Sequence, residues 1–240
     1  MIPGDVAMIG LLLAALSAAP TTIDVERAYA ALAQTKGQWT AFRATAAPDA
    51  LMFVPEPVQA AQWLSERRDP AVSVMWWPSR GWISCDGRLG INFGPWVRRG
   101  GHLLGTFTTI WAKQPDGDWK WQLDLGGVSP RAVAAGDSVT AMPASCRNLP
   151  AARGARMEEE DADRDPIILL GDTGPRADLP AAERGRKGTI LKAGRSPDGS
   201  LAWEVIRPEG GGAADAVLRA WRWDGRRYRL ILFERTGPGS

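Results

Sequence analysis

Few side chains in this sequence have the type and setting to do chemistry. Asp124 is the last polar residue of the run Trp119–Leu125, in which apolar and polar residues alternate. Counted from Trp119, Trp121 and Leu123, its parity is opposite, so it is expected to face away from that apolar side. There it could act as an acid or base in a pocket, or pair with Arg43. His102 is the one imidazole and follows Gly100–Gly101. It reads either as an exposed hairpin residue or as a general base oriented by Asp124. Asp86 and Asp116 sit in Asp-Gly pairs, where the side chain supports the turn. Ser84 lacks the Gly-x-Ser-x-Gly elbow of hydrolases. Gly210–Gly212 is followed by no lysine, so no phosphate-cradling loop is expected.

One histidine and two cysteines are too few for the common zinc sites. Six carboxylates fall within Glu158–Asp165, but the segment lacks the spaced Asp/Asn and Gly of a calcium loop and reads as a solvated loop. No cofactor and no metal are expected, and no residue is assigned as catalytic. The 29 basic and 27 acidic groups leave a net charge of +2, which does not call for nucleic acid as a partner. The arginines from Arg219 to Arg229 do not change this, because residues 131–240 hold 18 basic against 16 acidic groups.

Twelve tryptophans against two tyrosines are the compositional anomaly. Most are expected in a bulky core, and a minority could line a cavity and stack on a flat ligand. Phe107, Thr109 and Trp111 share one strand face; Leu89, Ile91 and Phe93 share another. Tyr29, Trp39, Phe93, Phe107, Thr109, Trp111 and Asp124 are therefore the candidate ligand-binding residues. Which sheet face is concave cannot be told from parity.

These residues need elements to position them. Asp24 and Glu26 lie in the first turn of a helix whose apolar face is Val25, Tyr29 and Leu32. Gly37 interrupts, and Trp39 to Ala46 continues as a second helix ending before Pro48. Val58–Arg68 reads as a third helix. After Pro70 the texture becomes strand: Ala71–Trp77, Gly81–Cys85, Leu89–Trp96, His102–Lys113 and Asp118–Leu125, joined by explicit turns such as Asp116–Gly117. Residues 126–185 turn to Ala, Pro, Gly and charge, with one short strand at Ile167–Leu170. Gly188–Ala193, Ser200–Ile206, Ala216–Trp223 and Arg227–Glu234 are again strand-like. Helices followed by hairpins predict an α+β fold, with helices packed on an antiparallel sheet and further C-terminal β-hairpins.

The apolar run Val6–Leu16 followed by Ser17–Ala19 has the length of a signal-peptide core, shorter than the ~20 residues that span a bilayer. Asp5 and the lack of a basic residue before Arg27 depart from that pattern. Export to a bacterial periplasm or beyond is expected, with no stable membrane insertion after processing. Cys85 and Cys146 would then pair, closing a loop worth about 4 kcal/mol in the chain-entropy model. The organisation read from the chain is 1–19 signal peptide, 20–126 folded domain, 127–185 irregular linker and 186–240 hairpin extension.

Residues 22–126 resemble the nuclear transport factor 2-like superfamily, also called SnoaL-like or cystatin-like cone folds. The resemblance rests on Asp24-Val25-Glu26-Arg27-Ala28-Tyr29-Ala30-Ala31-Leu32, Gly37, Phe42, Ala47-Pro48-Asp49-Ala50 and the hairpin Phe107–Trp111 through Asp116–Trp121. It implies a strongly curved, cone-shaped antiparallel sheet around a helical pair, with an apolar pocket, and a sheet face that could pair with a second copy as a homodimer. The superfamily holds isomerases, cyclases and non-enzymatic binders, so fold alone does not choose between them. Matched to the isomerases, the tyrosine position falls on Ala28, with Tyr29 facing elsewhere; the base falls near Val54 and the second acid near Thr108 or Thr109. None of these carries the required group. The expectation is an exported binder of a small apolar or aromatic molecule, with isomerase- or cyclase-type chemistry and a dimeric interaction module as alternatives.

Overall fold

A computed structural model describes residues 20–129, 133–134, 139–150, 157, 162–171, 175–176 and 178–236. The signal-peptide segment 1–19 and residues 158–161 of the acidic run lie outside the described residues.

Helix α1 (Thr22–Lys36) opens on a capping box: Asp24 N–H donates to the Thr21 hydroxyl, and Thr21 N–H donates to the Asp24 carboxylate. Its buried residues, Thr22, Ile23, Glu26, Tyr29 and Ala33, form one stripe. Gly37 breaks the helix at φ 104°, and a Cβ there would lie 2.3 Å from Asp69 Cγ. Asp69 accepts from both the N–H and the hydroxyl of Thr40, tying the start of α2 (Gln38–Thr45). The third helix is short, α3 at Ala60–Leu64.

Two sheets follow. The first contains β1 (Ala46–Phe53), β2 (Pro57–Gln59), β3 (Met75–Trp76), β4 (Arg80–Ile83), β5 (Leu89–Arg98), β6 (Leu103–Lys113), β7 (Trp119–Val128) and β8 (Ala141–Pro143). Its order is β2-β1-β7-β6-β5-β4-β8, with β3 on β5. The expected antiparallel sheet is instead mixed, because β1 runs parallel to β7 and β8 parallel to β4. The helices between the chain start and β1 return the strand to the far edge in the direction of β7, which no local pattern encodes. The expected strand at 71–77 shrinks to Met75–Trp76.

The second sheet contains β9 (Ala162–Leu170), β10 (Pro175–Arg176), β11 (Gly188–Arg195), β12 (Leu201–Pro208), β13 (Ala216–Trp223) and β14 (Tyr228–Thr236), in the order β10-β9-β14-β13-β12-β11. The C-terminal hairpins are thus part of one six-stranded mixed sheet, which also takes in Ala162–Leu170 and Pro175–Arg176 from the segment that reads as irregular by composition. Asp163 and Asp165 of the acidic run sit on β9, and each meets an arginine: Asp163 pairs with Arg222 at 2.6 Å and Asp165 with Arg80 at 2.9 Å.

One face of the first sheet meets the helices around Tyr29, Phe42, Trp76, Phe107, Trp111 and Trp121. Its other face meets the second sheet, where Leu89, Ile91, Phe93, Ile110, Leu123 and Leu125 pack with Leu201, Trp203, Val205, Leu218 and Leu232. The sheet face on which pairing with a second chain was expected is therefore covered within this chain. Cys85 and Cys146 form a disulfide linking the β4–β5 turn to the segment after β8. No helix among the described residues is long and apolar enough to cross a membrane.

Candidate functional site

Between α2 and the first sheet lies a pocket of about 140 Å³. Trp39 and Phe42 from α2, Met52 and Phe53 from β1, Trp76, Trp96 and Phe107 make its walls largely aromatic. Gln38, Arg98 and Asp124 are the polar groups on its lining. Gln38 Oε1 is already engaged, accepting from Val74 N–H at 3.1 Å. Arg98 is exposed, with its guanidinium 5.7 Å from the Trp96 ring.

Asp124 reaches the pocket because of a register shift in β7. Trp111 pairs with Trp121, but the next pair is Ile110 with Leu123, leaving Gln122 as an extra residue. This bulge reverses the parity. Trp121 faces the helices and Leu123 the second sheet, so Asp124 returns to the helix side with Trp121. The expectation that Trp121 and Leu123 share a face fails for that reason. Arg43 does not pair with Asp124; its guanidinium donates to the carbonyls of Leu64 and Arg67 at 2.8 and 2.9 Å. Thr109 lies beside Asp124, its hydroxyl 3.4 Å from the carboxyl. Burial, then the nearby Glu26 carboxyl, push Asp124 up to about 8 from its ordinary 3.8, against the Thr109 hydrogen bond.

Behind Asp124 sits Glu26, a residue that sequence reading assigned to helix-terminus electrostatics. It is wholly buried. Trp76 and Trp111 donate their indole N–H groups to it at 2.9 and 2.7 Å, and Asn92 donates an amide N–H at 3.2 Å. Burial raises its pKa to about 7 despite these donors. A signal existed in the sequence: Glu26 and Tyr29 are three apart and so share a helix face.

Tyr29 is buried, with Phe42, Trp76 and Trp111 around its ring at centroid distances of 4.9–5.5 Å. Its hydroxyl has no hydrogen-bond partner among the described residues. Burial, with Asp124 and Glu26 nearby, raises its pKa well above 10. The helix places Tyr29 inward and Ala28 in solvent. The expectation that Tyr29 turns away from the helix-packed interior is not met.

Of the sequence candidates, Trp39, Phe107 and Asp124 line the pocket. Tyr29, Thr109 and Trp111 lie in the layer behind it. Phe93 faces the second sheet. His102 is exposed in the β5–β6 turn and is not a pocket residue, so the structure does not bring it to Asp124. Among the described residues no cluster of His, Cys, Asp and Glu could hold a metal.

The site therefore combines largely aromatic walls with two neighbouring carboxyls, neither of which forms an ion pair among the described residues. Ionising both would put two charges into a poorly solvated space, so the pair retains a proton at neutral pH.

No family model and no curated protein matches this chain. Among solved structures, a ketosteroid isomerase-like protein from Parabacteroides distasonis is similar at 12% identity and a TM-score of 0.36, covering 44% of this chain and 86% of its own. An aromatic ring hydroxylase-like protein from Novosphingobium aromaticivorans is similar at 13% identity and a TM-score of 0.31, covering 43% of this chain and 82% of its own.

Proposed function

We propose that the chain binds a small ring-sized apolar or aromatic molecule carrying one hydrogen-bond acceptor. The observation that carries this reading is Asp124: a buried carboxyl with no ion-pair partner among the described residues, on the lining of a largely aromatic pocket. With its pKa raised to about 8 it is mostly protonated at pH 7 and can donate to a carbonyl or ether oxygen. A dry apolar cavity of about 150 Å³ is known to accept a benzene-sized guest, and this pocket is of that order.

Cyclohexanone and methylenecyclohexane, nearly equal in shape, test the reading by titration of tryptophan fluorescence. The ketone should bind roughly tenfold tighter, the worth of one buried hydrogen bond, and Asp124→Leu should erase the difference. Equal affinities in the unaltered protein, or no binding of either, would sink it.

A second reading is proton transfer of the isomerase or cyclase type. It is supported by the proximity of the Glu26 and Asp124 carboxyls, both with pKa values near neutrality. An ionised Asp124 would take a proton from the carbon beside a bound carbonyl and return it. Deuterium uptake at that carbon of cyclohexanone in D2O, followed by NMR and lost in Asp124→Asn, would favour catalysis over binding alone.

The same proposal includes export, supported by the apolar run before Pro20 and by the disulfide. Mass spectrometry of the purified chain's N-terminus, after expression with residues 1–19 in a bacterial host, checks it.

A further inference from the structure

We infer that residues 162–236 are a second copy of the sheet formed by residues 46–128, one with no described helix layer, and that it serves as the permanent partner of the first. The chain is a pseudo-dimer fused end to end.

The strand orders coincide: β2-β1-β7-β6-β5-β4 in the first sheet and β10-β9-β14-β13-β12-β11 in the second. In both, the first long strand runs parallel to the last, and the rest are antiparallel neighbours. The registers coincide as well. Leu89 pairs with Ala112 and Ile91 with Ile110; Leu201 pairs with Arg222 and Trp203 with Ala220. Both parallel pairs carry the same irregularity. Ala46 meets Trp121 before Leu51 meets Leu123, and Ala162 meets Leu230 before Ile167 meets Leu232. The bulge at Gln122 recurs at Ile231. Shared strand order could arise by convergence on a stable arrangement. Shared register faults at corresponding places have no such reason.

One trace remains in the sequence. Ser84-Cys85-Asp86-Gly87-Arg88-Leu89 recurs as Ser196-Pro197-Asp198-Gly199-Ser200-Leu201. The two turns are built alike: each serine hydroxyl donates to its aspartate, at 2.5 and 2.6 Å, and accepts from its leucine N–H at 3.0 Å.

The copies then meet as the halves of a two-fold interface do, each contact answered by its reciprocal. Asp86 N–H donates to Asp198 Oδ2 at 2.7 Å, and Asp198 N–H donates to Asp86 Oδ2 at 3.3 Å. Arg80 on β4 pairs with Asp165 on β9 at 2.9 Å, while Lys192 on β11, its counterpart, pairs with Asp49 on β1 at 2.7 Å. Each cation also donates to the backbone carbonyl of the aspartate it pairs with. Between these contacts the two inner faces supply one continuous apolar core.

The second copy does not repeat the site. By register, Phe233 stands where Asp124 stands and Arg219 where Thr109 stands. The outer face of the second sheet is filled by Ile168, Trp221, Tyr228 and Phe233, all buried. What it keeps is the partner surface.

The test is to insert a protease site between residues 150 and 157, fold the whole chain, and cut it. Both cysteines stay in the first piece, so no covalent bond holds the halves; the packed sheet faces do, with the hydrogen bonds that Pro143, Ser145, Arg147 and Asn148 make to the second sheet. The cut protein should elute with the uncut one and fly in native mass spectrometry as a one-to-one complex of its pieces. Separation of the pieces, whether the first then runs alone or pairs with itself, would overturn the inference. A second variant with the site between Gly210 and Gly212, inside the second sheet, controls for cutting as such and should lose the complex or its stability.

Discussion

Thr108 donates its hydroxyl to the carboxyl of Glu234 at 2.7 Å, a polar contact inside the apolar core between the two sheets. By register their counterparts are Leu218 and Leu125, both members of that core. Burial pushes Glu234 up to about 7 from its ordinary 4.5, opposed by this one hydrogen bond.

As pH rises from about 4.5 towards 7, the unfolded chain ionises Glu234 before the folded chain does, so folding is progressively penalised. The full penalty, up to about 3 kcal/mol for a shift of this size, is present above pH 7 and absent below about pH 4.5. Glu234→Gln stays neutral throughout. Its urea midpoint should exceed that of the unaltered protein at pH 8 and approach it as the pH falls below about 4. Equal midpoints across that range would show that Glu234 is solvated.

Asp124 carries the same sign into binding. Its proton, the hydrogen bond offered to a ligand, is held below about pH 8 and lost above it. Affinity for cyclohexanone should therefore be flat from pH 6 to 7 and fall roughly tenfold by pH 9.5, while that for methylenecyclohexane changes less. Isothermal titration across this range is the measurement, and a rise in ketone affinity above pH 8 would contradict the assignment.

The Tyr29 hydroxyl is buried without a partner among the described residues, which costs about 1–3 kcal/mol. Tyr29→Phe should raise stability by about 1 kcal/mol, read as an upward shift of the thermal midpoint. A large destabilisation would mean that the hydroxyl has a partner in solution.

Gly105 on β6 is a close-packing position: a Cβ there would lie 2.1 Å from the Gly127 carbonyl oxygen and 2.2 Å from the Trp96 ring. Trp96 forms part of the pocket wall and is held by its N–H on the Thr106 carbonyl at 2.9 Å. Gly105→Ala should cost about 1–3 kcal/mol and weaken both ring ligands alike, because it displaces a wall and leaves Asp124 intact. A selective loss of the ketone alone would place Trp96 outside the pocket.

Much of the local structure was legible. Asp24 and Thr21 make the expected helix start, Gly37 the expected break, and Asp116–Gly117 and Asp224–Gly225 the expected tight turns. Capping, glycine φ and alternating strands are properties of a few neighbouring residues, so sequence carries them. Trp39, Phe107 and Asp124 could likewise be nominated from residue type and position. The repeat was also present in the six residues after Ile83 and after Arg195, but it is too short to be noticed without the registers that frame it.

The facing of Asp124 and the partners that surround Glu26 were decided by tertiary structure. One extra residue at Gln122 reverses every later side chain on β7, and a bulge has no mark in the sequence. Glu26 is a helix-start carboxylate by local rules. Only the arrival of Trp76, Asn92 and Trp111, from strands 50 to 85 residues away, makes it a buried acid. Local propensity set the elements of this chain, whereas the chemistry of the pocket arises from which distant strands the first sheet brings against the helices.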